Sequence, residues 1–224
     1  MSNFDIELSE TEYQPSVELT STSVTITDIK QISGDCYKIT ISSGSAFFIR
    51  AVYLQQIREE ELVLNATFSE SFAWDLVRAG LCFSAEKKGM EYLARGEQSR
   101  YLLSLKLAKK GFDKESVSLA LGYLENKKYL DDGRFAEAWL RNRMISKYEG
   151  PTKLCIGLQS RGISRDVASL AIQRFLIEYP EEYLLVKASE KFLRLGKKEE
   201  KLISALQKSG FSWQMIKKHI CSMS

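Results

Sequence analysis

Residues 154–172 read LCIGLQSRGISRDVASLAI, and the same pattern returns without gaps at 103–121 (LSLKLAKKGFDKESVSLAL) and 202–220 (LISALQKSGFSWQMIKKHI). The copies share Gly111, Gly162 and Gly210, spaced by 51 and 48 residues. A leucine stands eight residues before each glycine (Leu103, Leu154, Leu202) and another four before it (Leu107, Leu158, Leu206). A large apolar residue follows directly (Phe112, Ile163, Phe211), and then a capping type (Asp113, Ser164, Ser212). The pattern predicts a helix that ends with glycine at C′, in the left-handed region where a Cβ is penalised. The apolar residue then falls at C″, against the leucine at C3, as in a Schellman motif. The Asp or Ser accepts from the free N–H groups of the next helix.

The spacing leaves room for one further helix per copy, which makes tandem three-helix repeats. The first helices are expected at 84–93, 132–147 and 181–193, giving repeats at 84–126, 127–178 and 181–222. Asp131 or Asp132 is expected to cap the helix that carries Arg134, Phe135, Ala136 and Trp139. Gly150-Pro151 opens the next helix, with proline where its missing N–H costs nothing. Gly157, inside that helix, is expected to cost about 1 kcal/mol relative to alanine. Trp213, next to the cap Ser212, reads as a packing residue.

Upstream the character changes. TSVTITDIKQ, CYKITIS and SAFFIR are rich in β-branched and aromatic residues, and Tyr37, Ile39 and Ile41 alternate with Lys38, Thr40 and Ser42. That is the period of a half-buried strand. Turn residues at 34–35 and 42–45 separate the runs. A small antiparallel β domain of about three strands is expected within 20–66, and such a sheet needs a layer packed on it. Residues 51–66 supply either a short helix or a further strand. Residues 67–83 read as a connector, within a pattern that turns helical from about residue 68. Residues 1–19 are acidic, with no basic residue, and read as a flexible tail. The fold class is therefore mainly α: tandem three-helix repeats in an elongated array, preceded by a small antiparallel β domain.

With 44% hydrophobic residues, 3 Pro and 13 Gly, the chain can bury a core and is neither collagen-like nor low-complexity. The opening MSNFDIELSE lacks the apolar run of a secretory signal, and no apolar stretch approaches a membrane span. Cys36, Cys82, Cys155 and Cys221 are far apart, so reduced and mostly buried thiols in a cytoplasmic protein are expected. With one histidine, His219, imidazole-based metal or triad chemistry has little to work with. No phosphate-binding glycine loop occurs, and no enzyme signature is found.

The net charge of +3 is unevenly spread: residues 1–80 carry 5 Lys+Arg against 12 Asp+Glu, whereas 81–224 carry 27 against 17. A basic back half points to a polyanion or an acidic partner, or simply to solvated helix faces. Arg134 and Arg141 are seven apart and share a helix face, with Glu137 between them as a candidate ion-pair ladder. Arg143, Lys147 and Lys153 extend the basic character. Lys109 and Lys110 also suit the negative end of a helix dipole.

YLDDGRFAEAWLRNR (129–143), GPTKL (150–154) and LQSRGIS (158–164) together resemble the RecX regulators of the RecA recombinase. YLARGEQSRYLLSLKLAKKGF (92–112) is similar to the first repeat of that family, where a Ser-Arg pair, here Ser99-Arg100, begins the helix leading to the glycine. The resemblance covers 84–222 and implies a non-enzymatic protein, without cofactor or metal. Such a protein lies as a monomer along the groove of the RecA filament on single-stranded DNA. There it lowers RecA ATP hydrolysis, strand exchange and co-protease activity. On this reading Arg134, Arg141, Arg143, Lys147 and Lys153, and less centrally Lys109 and Lys110, pair with acidic filament side chains or phosphates. The rival expectation is a helical-repeat protein that binds DNA directly through its basic C-terminal region; a general helical scaffold is a third.

Overall fold

The computed structural model describes residues 23–197 and 199–223; the acidic tail expected at 1–19 lies outside them. The strands are β1 (Ser23–Ser33), β2 (Cys36–Ile41), β3 (Ala46–Arg50) and β4 (Thr67–Ser69). The helices are α1 (Glu70–Leu93), α2 (Arg100–Lys109), α3 (Lys114–Asn126), α4 (Asp132–Ser146) and α5 (Pro151–Gln159), then α6 (Arg165–Glu178), α7 (Glu181–Arg194), α8 (Glu199–Lys208) and α9 (Trp213–Met223). The chain divides into two compact units, one ending at Met90 and including Leu107–Tyr123, the other made of Glu91–Lys106 and everything from Leu124. Residues 84–126, read as one repeat, are thus shared between units.

The first unit is a mainly antiparallel β structure under a helix. Its sheet runs β3-β2-β1-β4, so the short β4 adds a fourth strand to the three expected. Gly34, at φ 49°, turns β1 into β2, which sets Ile29 opposite Ile39 and Lys30 opposite Lys38. The alternation of β2 is realised: Ile39 and Ile41 are buried while Lys38 is exposed. They pack with Ile26, Phe47 and Ile49 against Ala73, Leu76, Ala79 and Cys82 of α1. The covering layer is therefore α1, which begins at Glu70 and absorbs most of the connector expected at 67–83. At Gly80 a Cβ would come 2.9 Å from the Phe47 ring, so glycine lets the helix approach the sheet.

Residues 51–66 form neither a regular helix nor a long strand. They make two 3₁₀ turns, Ala51–Tyr53 and Glu59–Glu61, and bury Tyr53, Ile57 and Leu62. Asp75 of α1 holds the segment in place. Its buried carboxylate accepts from the N–H groups of Gln56 (2.8 Å) and Ile57 (3.0 Å), as well as Gln55 (3.0 Å), and pairs with Arg78 at 2.5 Å. Burial pushes this carboxyl upward, but the Arg78 guanidinium and the three N–H groups outweigh burial and hold it below the ordinary aspartate range. A second ionic group joins Arg50 to Glu86 (2.6 Å) and Asp35 (2.8 Å), with the Tyr53 hydroxyl donating to Glu86 at 2.8 Å.

In the second unit α6 packs on α4 and α5, and α7, α8 and α9 pack on one another. The core contains Phe135, Leu140, Leu154, Leu158 and Ile163, continuing through Leu184, Leu206, Phe211 and Ile216. The leucines and C″ residues read from the second and third copies are thus interior residues. Gly111, Gly162 and Gly210 have φ of 90°, 81° and 90°. The C″ amides of Phe112, Ile163 and Phe211 donate to Leu107, Leu158 and Leu206 at 3.4, 3.3 and 3.4 Å. The glycine amides donate to Ala108, Gln159 and Gln207 at 3.0, 2.9 and 2.9 Å. These two bonds define the Schellman motif. The caps follow: Asp113 accepts from Ser116 at 2.9 Å, Ser164 from Val167 at 3.3 Å and Ser212 from Met215 at 3.4 Å.

Two of these turns also act as joints within the second unit. The Ser99 hydroxyl accepts from the Leu102 amide (3.1 Å) at the start of α2 and donates to the Arg161 carbonyl at 2.7 Å. A Cβ on Gly162 would overlap the Cβ of Tyr101 and lie 2.6 Å from its Cγ. The same arrangement recurs one repeat later. The Gly150 amide donates to the Ser209 carbonyl at 2.8 Å, and a Cβ on Gly210 would lie 2.5 Å from that of Lys153. In each case a glycine turn seats its bare Cα and preceding carbonyl on the start of the middle helix one repeat earlier.

Candidate partner-binding site

The first turn of α4 is organised by both aspartates, in different ways. Asp131 is the N-cap, accepting from Gly133 (2.8 Å) and Arg134 (3.0 Å); these amides hold its carboxyl below its ordinary range. Asp132 reaches outward and accepts from the Arg100 amide at the start of α2, at 2.8 Å. Neither belongs to a metal-ligating group: among the described residues no three His, Cys, Asp or Glu side chains gather around a common point. Cys36 and Cys82 are buried, Cys155 is half-buried and Cys221 is exposed, all as free thiols.

The seven cations read from the sequence divide into two kinds. Arg134 is fully occupied: its Nε donates to Glu97 at 2.8 Å, and its terminal nitrogens donate to the carbonyls of Lys128 and Tyr129 at 2.9 Å each. It clamps the loop between α3 and α4. Arg143 pairs with Glu149 at 2.9 Å and lies over the Trp139 ring, 5.1 Å from its centre. Lys153 donates to the Lys208 carbonyl at 3.2 Å, closing the end of α8. By contrast, Arg141 and Lys147 are exposed and carry no ion pair among the described residues. Arg141 borders a shallow pocket of about 190 Å³ with Arg174, Glu137 and Glu178. Lys109 and Lys110 are exposed too, in the first unit.

The expected ladder along α4 does not form. Glu137 pairs with Arg174 of α6 at 3.1 Å, because α6 packs on α4 and brings a second cation within reach. Two other expectations at aromatic and glycine positions change. Trp213 is 52% exposed, since the first turn of α9 points it away from the core that receives Phe211 and Ile216. Gly157 answers to a contact: a Cβ there would come 2.5 Å from the Trp139 indole. Sequence reasoning missed Arg161, whose guanidinium covers Trp139 at 4.9 Å and donates to the Gly157 carbonyl at 2.7 Å. The indole is thus flanked by Arg143 and Arg161. The only sequence signal for Arg161 was its place directly before a turn glycine.

Chemically, the surface of the second unit offers cations held at fixed positions, such as Arg143, and exposed cations, such as Arg141 and Lys147. It suits pairing with carboxylates or phosphates, with an affinity that falls as salt rises. The fold and surface define a helical-repeat protein that carries exposed cations. A family model described as "RecX, second three-helix domain" matches residues 131–172, which span α4, α5 and the first half of α6. The chain is 37% identical over 137 residues to "Regulatory protein RecX" of Treponema pallidum (strain Nichols), covering 61% of this chain and 84% of that protein. It is 32% identical over 142 residues to the protein of that name from Chlorobaculum tepidum, covering 61% and 86%. The solved "Crystal structure of regulatory protein RecX" superposes with a TM-score of 0.68 at 21% identity, covering 87% of this chain and 97% of that one, and so shares the fold. This chain belongs to the RecX family of regulatory proteins. No described helix is long and apolar enough to cross a membrane.

Proposed function

We propose that this protein is a cytoplasmic, non-enzymatic regulator that binds the RecA filament on DNA and lowers its ATP hydrolysis, strand exchange and co-protease activity. The observation that carries the reading is its 37% identity to a regulatory protein RecX over 84% of that protein's length. The joints of the second unit support it physically. Repeated modules fixed to one another present several weak contacts at once, and linked contacts multiply affinity without a deep pocket. Arg141, Lys147, Lys109 and Lys110 are the exposed contacts to acidic side chains or phosphates. Arg134, Arg143 and Lys153 contribute their charge from positions fixed by internal bonds. The protein acts as a monomer, and direct DNA binding is weak beside filament binding.

The test is a titration of RecA-coated single-stranded DNA that follows binding and ATP hydrolysis together. The variant Arg141→Glu with Lys147→Glu is expected to inhibit at least ten-fold more weakly than the parent, because both sites face solvent and the fold tolerates them. Full inhibition by that folded variant refutes the contact assignment. Salt-sensitive binding to bare duplex DNA with no effect on the filament refutes the proposal in favour of direct DNA binding.

A further inference from the structure

The end of α4 and the end of α7, both in the second unit, border a groove of about 460 Å³ that the proposed filament contacts leave largely unused. Its apolar part is unusual for a surface. Ile145 is 74% exposed and Leu195 is 65% exposed, and the half-buried Tyr148 completes that lining. Large aliphatic side chains left this open forgo the stabilisation that burial would bring. The shape of the groove is built in: Tyr148 sits at φ 49°, in the left-handed region, within the α4–α5 link that Arg143 and Glu149 tie together at 2.9 Å.

The rim is basic. Lys187 and Arg194 line the groove together with the carboxylate of Glu190. Glu190 is shared by both, at 3.3 Å to Lys187 and 3.6 Å to Arg194, so it cannot balance the pair. The Arg194 side chain remains 80% exposed. An occupant must therefore bring negative charge to the rim and aliphatic or aromatic groups to the floor. A nucleic-acid backbone supplies the first but has no use for two open aliphatic residues. An acidic polypeptide segment supplies both.

We propose that this groove is a docking site for an acidic segment of a partner protein that carries apolar side chains. The inference stands on the groove alone and does not depend on filament binding.

The test uses the full chain and a fluorescein-labelled synthetic peptide in which Glu alternates with Leu and Phe, read by anisotropy. The parent protein binds it, and the matched peptide with Gln for Glu binds at least ten-fold more weakly. Ile145→Ser with Leu195→Ser, and separately Lys187→Gln with Arg194→Gln, each weaken binding at least ten-fold. All four positions are on the surface, and unchanged melting of the variants shows that the fold persists. No binding by the parent, undiminished binding by both variant pairs, or displacement of the peptide by oligothymidine overturns the proposal; the last outcome assigns the groove to nucleic acid instead.

Discussion

Replacing Gly162 with alanine tests the joint between repeats, with Gly196→Ala as its control. Both glycines end helices in the second unit, at φ 81° and 75°, so alanine at either carries the same left-handed cost of about 1–2 kcal/mol. They differ in surroundings. Around Gly196 an added Cβ meets nothing within 4 Å, whereas at Gly162 it overlaps the Tyr101 side chain at its root, 2.6 Å from Cγ. A Cβ cannot rotate away, so the α2 start must move. That overpacking costs about 1–3 kcal/mol. The shift also lengthens the 2.7 Å bond from Ser99 to the Arg161 carbonyl, worth about 1 kcal/mol. The expected losses are about 3–6 kcal/mol for Gly162→Ala and about 1–2 kcal/mol for Gly196→Ala. Urea unfolding followed by far-ultraviolet circular dichroism measures both, as a fall in midpoint at unchanged slope. Equal losses at the two positions would show that the turn is not seated on α2 and would remove the joint from the description.

Two further outcomes follow from the same geometry. Gly157→Ala, which helix propensity alone favours by about 1 kcal/mol, is expected instead to destabilise by about 1–2 kcal/mol. Its Cβ meets the Trp139 indole at 2.5 Å, so the tryptophan emission should shift as well; a more stable variant with unchanged emission contradicts that packing. Asp75→Asn is expected to cost about 3 kcal/mol near neutral pH, by leaving Arg78 without its buried partner. Because the folded-state carboxyl is held below its ordinary value, its contribution is fully present above the unfolded-state pKa of about 4 and is lost as pH falls through the lower folded value. The stability gap between parent and variant, measured across pH 6 to 2, should therefore close in the acid range, and a constant gap would disprove the linkage.

What could be read from the chain was whatever local chemistry dictates. A glycine followed by an apolar residue and a cap specifies a turn within a few residues, so Gly162-Ile163-Ser164 announced its own geometry. The alternation around Ile39 and Ile41 likewise gave a strand. The contacts that were missed are those between residues distant in sequence. Gly157 looked like a flaw because the indole that requires it lies eighteen residues earlier on α4. The sequence left the cap of α4 to either Asp131 or Asp132, and nothing local showed that Asp132 serves the amide of Arg100 instead. Arg134 read as a partner contact or as part of a ladder with Glu137, yet its partners, Glu97 and two carbonyls, come from outside its helix. The helical pattern from about residue 68 did mark the start of α1 at Glu70; that this helix covers the sheet was not legible, because Ile39, Ile41 and Phe47 lie far from it in sequence.

The joint between repeats draws mostly on groups that every sequence possesses. Its acceptors are the main-chain carbonyls of Arg161 and Ser209, and one of its two donors is the main-chain amide of Gly150. Only a missing side chain at the turn, and one small hydroxyl at Ser99, depend on which residue is present. Evolution can therefore rewrite nearly the whole outer face of such a chain while the angle between neighbours stays put. A shared fold at 21% identity is what such a connection permits, since most of its bonds need only a backbone.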